Sequence, residues 1–556
     1  MRKNLFLTTL LMLATSFAAA NDMVTYWWHS SLLPPADNKC QSNIHNICSN
    51  AEGNAFVLGN FGSINATDET TFLGQTFTGA EYGVSSGYNL NLVFAKVDSL
   101  GKPLWTIHST EGNFSSGTFC PARDGGAVLA VKFRLTEKNK QDGAKNPYIA
   151  LQDATGKVQS LETTYQGTNY QYVVLVRVDV NGAITHFIPL WTSHAVAPHN
   201  KDGKPTPDVA DITAIMEDED GNLYLQGGQA MDIALGTDTI RARKNPDWDG
   251  NSFSDNCNSF IIKTDAQFRY LSHTTTDGNV LYDRFMLAAY HDGNIVLVGH
   301  AKVDSLGGTL QWGKQQLNLR DRCIVTARLD RNLACTQLHA IQQVRINNMS
   351  GMFKQLAWSE DSTTLYFTGA LNGGLVWQGD TLASGNMARG QKNDGLLVQI
   401  DAATAEPRNL ALLHSDILNV NIGATMLNDT LYILNYQFGT DISLLCYDSK
   451  LQYLGRSVLA TGGGSLSALG IARCNRQLWI GMRSRGGIDF NVGSETIAYT
   501  PLWYATLSGW QLNGGVSSGI STPSANTTGK SKKVIIDGKL YIRRGSQLFN
   551  ALGQPL

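Results

Sequence analysis

The sequence predicts an all-β fold, a seven-bladed β-propeller of four-stranded blades, from three observations. One apolar hairpin phrase with Asp at its turn occurs six times. A second apolar strand, most often preceded by an Asp-Gly or Gly-Asn turn, occurs seven times. Equivalent turn glycines are spaced 72 residues apart twice, from Gly53 to Gly125 and from Gly221 to Gly293. A four-stranded unit repeated radially is a propeller blade, although this period exceeds the roughly 40–50 residues of common propeller repeats.

The hairpin phrase is clearest at 93–109, VFAKVDSLGKPLWTIHS. Phe94, Lys96 and Asp98 alternate with Val93, Ala95 and Val97, the period of two that marks a strand with unlike faces. Asp98, Ser99 and Gly101 supply the turn, since Asp bonds its own backbone and Gly accepts positive φ. Variants lie at 173–190, 259–275, 323–340, 395–413 and 443–457. The second strand begins at or near 53, 125, 221, 293, 363, 429 and 476. Short apolar segments such as 212–216, 286–290 and 354–358 precede its turns. Each unit therefore holds four strands, A to D, with units at about 44–109, 110–193, 209–275, 283–342, 350–414, 419–460 and 464–512. The last unit lacks one strand. Val24–Ser30 resembles the D strand Pro103–Ser109, and an open sheet edge is a liability. Residues 24–30 are thus predicted to close the ring in the last blade.

The bulk numbers agree with a folded chain. Of 556 residues, 42% are hydrophobic and 16% charged, and the net charge is −2. That balance gives no electrostatic case for a nucleic-acid partner. Arg2 and Lys3, the apolar run 5–17 and Ala18-Ala19-Ala20 read as a secretory leader cleaved between Ala20 and Asn21. After it, no stretch is apolar for long enough to span a bilayer. The expected organisation is a leader at 1–20, the propeller at 21–515, a Ser/Thr/Gly linker at 516–529 and a C-terminal tail at 530–556.

Eight cysteines in this length do not make a disulfide scaffold. Cys40 and Cys48 could close a short loop in an oxidising compartment. Cys323 and Cys335 sit offset on opposing strands, too far apart to pair. Cys48 and Cys120 each lie five residues before a turn glycine, which marks them as small core residues.

The B–C segments add a further motif: Phe72–Phe77 (FLGQTF), Leu235–Ile240 (LGTDTI) and Trp377–Leu382 (WQGDTL), each followed by a phrase like that at 93–105. With these, residues 40–515 resemble the bacterial β-propeller repeats of secreted Bacteroidetes proteins. At the C-terminus, Val534–Ile542 reads as a hairpin around Asp537-Gly538, followed by Phe549–Gln554 (FNALGQ). This ending resembles the C-terminal sorting tails of type IX secretion cargo, of which only the last strands are recognisable. That resemblance implies a Gram-negative host and the outer-membrane secretion machinery as a partner. It also implies a destination outside the cell or on its outer surface.

Chemistry is far less legible. Gly83–Gly87 and Gly515–Gly519 match G-x-S-x-G, but neither has the helix that a nucleophile elbow needs. Asp218–Asn222 (DEDGN) clusters oxygens as a calcium loop does, yet lacks the twelve-residue frame and reads as a hairpin turn. His186, His194 and His199 near Asp202 and Asp208 follow no known zinc spacing. Trp27, Trp28 and Trp105 are expected to fill core between blades. No motif implies a cofactor. Propeller topology puts the short A–B and C–D turns on one face and the long connections, 62–90, 134–172, 194–208, 230–258 and 372–394, on the other. Long loops on a rigid scaffold are where binding usually resides. Within them Arg241, Arg243, Lys244 and Trp248 form a basic-aromatic cluster suited to sugar stacking or an anionic polymer. The leading expectation is a non-catalytic protein that binds a protein or glycan through this face. The alternative is a polysaccharide- or peptide-cleaving hydrolase or lyase with its acids in the central channel.

Overall fold

In a computed structural model, residues 23–513 form seven sheets arranged as blades, with no helix among the described residues. The structure describes residues 23–32, 41–80, 89–134, 148–162, 172–192, 210–243, 257–344, 353–383, 394–413, 419–437, 441–490, 495–497 and 503–513. Positions 66, 231, 305, 372 and 463–464 are excepted, and strands 532–536, 539–544 and 547–549 are also described. The leader with its Ala20–Asn21 junction and the linker at 516–529 lie outside the described residues.

Blades 1 to 6 span 42–111, 113–192, 210–278, 282–344, 353–413 and 419–462, each in the order A-B-C-D from the axis outward. Blade 7 takes A, B and C from Ser465–Cys474, Gln477–Arg485 and Trp503–Leu512. Its D strand is Val24–Leu32, antiparallel to C, with Val24 opposite Leu512 and Leu32 opposite Ala505. The ring thus closes between its two chain ends, as the likeness of 24–30 to 103–109 predicts. The likeness has a physical cause. Trp105 on blade 1 packs so closely on Gly182, at the C–D turn of blade 2, that an added Cβ would lie 2.7 Å from the indole. Trp28 makes the same contact with Gly101 of blade 1, at 2.4 Å. Both glycines have positive φ, 85° and 78°, so turn geometry and lack of a side chain are required together. Trp27, expected in the core, is instead 45% exposed; it is the extra residue of a bulge between Tyr26 and Trp28 and has no partner in the ladder.

The six recurrent aspartates have one task. Oδ1 of Asp98 accepts from Leu100 N and Lys102 N, both at 2.9 Å. Asp179, Asp265, Asp330 and Asp448 repeat that pair of bonds. Asp401 makes a one-residue-longer version through Thr404 N at 2.9 Å. Each aspartate thereby closes a C–D turn. Asp330→Ala is expected to cost about 1–2 kcal/mol in denaturant unfolding, with Asp330→Asn near wild type because its amide oxygen still accepts.

The middle strands are buried on both faces, as at Ala55–Ser63. Their apolar residues interlock between neighbouring blades; Phe56, Phe94 and Trp105 of blade 1 share a cluster with Leu129, Phe133 and Val174 of blade 2. Every A strand carries a bulge, at His45, Ser115, Thr213, Met286, Lys354, Ile422 and Leu469. In four blades the residue before the bulge faces a B-strand glycine, Gly59, Gly227, Gly299 or Gly369. A bulge turns an extra residue out of the ladder and sharpens strand twist.

The B–C insertions correct one expectation. They are not simply long irregular loops: most of their described length is β-hairpin, laid on the outer edge of the preceding blade. Tyr148–Gln152 and Val158–Glu162, from the blade 2 insertion, extend blade 1. Hairpins at 233–240, 308–319, 374–383 and 488–497 likewise extend blades 2, 3, 4 and 6. Glu69–Phe72 and Gln75–Thr78 form their own pair, whose Leu73 N bonds Ser30 Oγ of blade 7 at 2.9 Å. Blade 6 has only 438–440 between its B and C strands, and among the described residues blade 5 gains no outer hairpin. This arrangement covers sheet edges that would otherwise stay open.

Residues 516–556 form a separate compact unit. Its strands Lys532–Ile536 and Lys539–Arg544 pair with Ile536 opposite Lys539, which puts the connection at 537–538, as expected. Gln547–Phe549 adds a third strand.

Candidate functional site

The seven A strands enclose a channel with a cavity of about 560 Å³. Each A strand runs from a D–A connection towards an A–B turn, so its first residues stand at the long-connection face. The polar and charged lining gathers there: His45, Asp211, Arg284 and Lys354 all lie in the first half of their strands. The sequence reading placed A strands at 212–216 and 286–290. The strands begin at Ala210 and Tyr282, two and four residues earlier, and so include Asp211 and Arg284.

Asp211 is the one carboxylate among the described residues of the lining. It ion-pairs with Arg284 at 2.7 Å and with Lys132 of the neighbouring blade at 3.3 Å. His45 Nε2 meets Asn60 Nδ2 at 2.6 Å, and its ring stands edge-on to Phe114. Burial, reinforced by the Arg483 guanidinium, lowers the His45 pKa to about 4, so the ring is neutral at pH 7. Thr213 Oγ1 donates to Gln226 Oε1 at 2.6 Å, and Gln355 Nε2 to Ile471 O at 3.2 Å. Lys354 is accessible from the channel, and desolvation holds its pKa below the usual lysine range.

Further along the channel the lining becomes apolar, with Ile215, Ala288 and Ile471. Cys48 and Cys120 sit there on adjacent strands. Burial raises the Cys48 pKa to about 11 and lifts Cys120 well above the ordinary thiol, where Glu217 adds to the effect. Both are therefore thiols rather than nucleophilic thiolates at neutral pH. Cys48 is free, and Cys40, its candidate disulfide partner, lies outside the described residues. Cys323 and Cys335 are also free and stand at opposite ends of their ladder, opposite Gln342 and Leu329 respectively.

The basic-aromatic candidates divide. Arg241 is 81% exposed at its side chain and bridges Asp232 at 2.7 Å. Arg243 turns inward, 9% exposed, and its guanidinium meets the fully buried Asp283 at 2.9 Å. Asp283 also accepts from Thr276 Oγ1 at 2.6 Å and Ser259 N at 3.0 Å. Arg243 thus anchors the blade 3 insertion to blade 4, and its guanidinium is already engaged. Lys244 and Trp248 lie outside the described residues. Arg243→Ala would strand a buried carboxylate, and about 3 kcal/mol of stability is expected to go with it in chemical denaturation.

The remaining motifs are structural in what is described. Asp218 Oδ1 accepts from Asp220 N and Asn222 N and closes an A–B turn. Glu219 and Asp220 pair with Arg123 at 3.5 Å and Arg331 at 2.7 Å, joining the turn to blades 2 and 4. These carboxylates are held by cations of the protein itself. His186 lies on a D strand with its ring edge-on to Phe268; 194–208 lie outside the described residues. Among the described residues no group of three His, Cys, Asp or Glu could hold a metal ion, and no helix could cross a membrane.

The chain matches no protein-family model and no curated protein. Solved structures similar to it include a puromycin hydrolase, 10% identical with a TM-score of 0.37. That match covers 90% of this chain and 58% of the hydrolase. Quinohemoprotein alcohol dehydrogenase from Comamonas testosteroni is 10% identical with a TM-score of 0.38, over 93% of this chain and 80% of that one. The Dos1 propeller is 9% identical with a TM-score of 0.35, over 88% and 96%. At these scores the likenesses carry no activity, substrate or partner to this chain.

Proposed function

We propose that the protein is a secreted or surface-displayed propeller that binds a macromolecule, protein or glycan, through its long-connection face, without catalysing a reaction on it. The supporting observation is the segregation of connections. One face consists of turns two to five residues long, many locked by an aspartate or asparagine side chain. At the other face the B and D strands end and the A and C strands begin. The sequence between them is long at 135–147, 163–171, 193–209 and 244–256, which lie outside the described residues. A rigid ring with its long connections on one side suits recognition. The alternative of a hydrolase or lyase at the channel has less support, because Asp211 is held by two cations and no second carboxylate joins it among the described lining residues. The apolar leader and the C-terminal hairpin fit export through the outer membrane, with the tail engaging the secretion machinery. Arg241 is the exposed basic residue that this reading places at the ligand.

Glycan and protein arrays probed with residues 21–515 test the reading. Deleting 134–172 as a block is unsuitable, since Ile149 and Leu151 within it are fully buried in the blade 1 cluster. The informative variant replaces 163–171, 193–209 and 244–256 with Gly/Ser of equal length. Saturable binding lost in that variant supports the proposal; absence of any binding, or binding that survives the replacement, defeats it. Separately, removal of 530–556 should retain the protein in the periplasm, and surface delivery without those residues would refute the sorting role.

A further inference from the structure

The bulges set seven equivalent side chains around the channel, and six of them line the cavity: His45, Thr213, Met286, Lys354, Ile422 and Leu469. The order around the ring matters. His45 and Thr213, from blades 1 and 3, carry hydrogen bonds to neighbouring strands. Met286, Ile422 and Leu469, from blades 4, 6 and 7, are apolar. Lys354 of blade 5 stands between Met286 and Ile422, a cation in the apolar half of the ring. Its ammonium has no hydrogen bond and no ion pair among the described residues, whereas Arg284 and Lys132 are both engaged by Asp211. Lys354 is exposed to the channel, so its ammonium is open to a ligand that enters from the mouth.

We propose that the channel mouth binds a small organic anion, an apolar body ending in a carboxylate, with the acid against Lys354 and the body along Met286, Ile422 and Leu469. The cavity has the size of a small-molecule site, within the usual range of about 300–1,000 Å³, and its walls combine apolar side chains with polar and charged groups at the mouth. A carboxylate supplies the partner that the ammonium lacks, as a charge-assisted hydrogen bond in a partly desolvated site. An inorganic anion would satisfy the charge and leave the apolar half of the ring unused. This site does not depend on macromolecular binding at the outer loops, and either can fail alone.

Isothermal titration of residues 21–515 with sodium octanoate is the direct test, with inorganic phosphate and octanol as separate arms. Saturable 1:1 octanoate binding is expected, at least tenfold tighter than either control. Lys354→Gln should weaken it at least tenfold and Lys354→Arg by less than threefold. The Gln variant should melt no lower than wild type, since it removes a charge without a partner; that readout establishes that lost binding is not lost folding. No saturable octanoate binding overturns the proposal. So does binding unchanged in Lys354→Gln, or phosphate binding as tight as octanoate.

Discussion

Removal of residues 21–32 is expected to abolish the cooperative folding of the propeller. The segment supplies the whole outer strand of blade 7, eight register pairs with Trp503–Leu512. It buries Val24 and Leu32 to 2% and 0% exposure and packs Met23 against blade 6. Full burial of such side chains contributes roughly 1.5–3 kcal/mol each. With the ladder and Trp28 added, the loss is on the order of 5–10 kcal/mol, comparable to the entire stability of a typical domain. The truncated protein should elute as aggregate and show no sharp thermal transition. A synthetic peptide of residues 21–34 should restore the transition in a concentration-dependent way, because a strand that binds only the folded ring stabilises it by mass action. A truncated chain that melts within a few degrees of the full one would show that closure contributes little.

Acidification from pH 6.5 to 4.5 is expected to cost on the order of 5 kcal/mol, before most carboxylates titrate. Two buried histidines cause this. His45 is held at a pKa of about 4 by burial and Arg483. His300, on the B strand of blade 4 and 7% exposed, is held at about 3 by burial, Arg284 and Arg322. Both folded values lie below the unfolded value of about 6.5, so in this window the unfolded chain binds about two more protons. Stability is therefore fully present above pH 6.5 and falls as pH drops, by about 1.4 kcal/mol per pH unit for each histidine. His108 and His273, lowered by desolvation too, act in the same direction. Denaturant melts at half-unit pH intervals give the slope. His300→Asn should reduce it by one proton, and a flat profile between pH 6.5 and 4.5 would contradict the buried neutral rings.

Much of this architecture was legible because the turn chemistry repeats. Asp98 and its five counterparts mark every C–D turn that joins consecutive strands, since only a short side-chain oxygen closes that turn onto two backbone amides. Blade 7 has no such aspartate because its D strand comes from the other end of the chain, and the missing signal was itself informative. The outer hairpins were less legible. The phrases FLGQTF, LGTDTI and WQGDTL announce tight turns, yet nothing local says that the strands add to the preceding blade. The channel was least legible. Asp211, Arg284 and Lys354 become neighbours of one cavity only when seven separate strands meet at the axis, and a bulge decides which residue faces inward. Arg243 shows the converse: an apparent surface cation has its partner, Asp283, forty residues away on the next blade.

The central claim is that recognition belongs to the long-connection face. Hydrogen exchange of residues 21–515, free and saturated with the tightest-binding array glycan or protein, tests it most directly. Slowed exchange is expected in 163–171, 193–209 and 244–256 and in the first residues of the inner strands at 42–45, 210–213 and 282–286. Protection confined to the aspartate turns at 98–101, 179–182 and 330–333 would place the ligand on the opposite face and contradict the account.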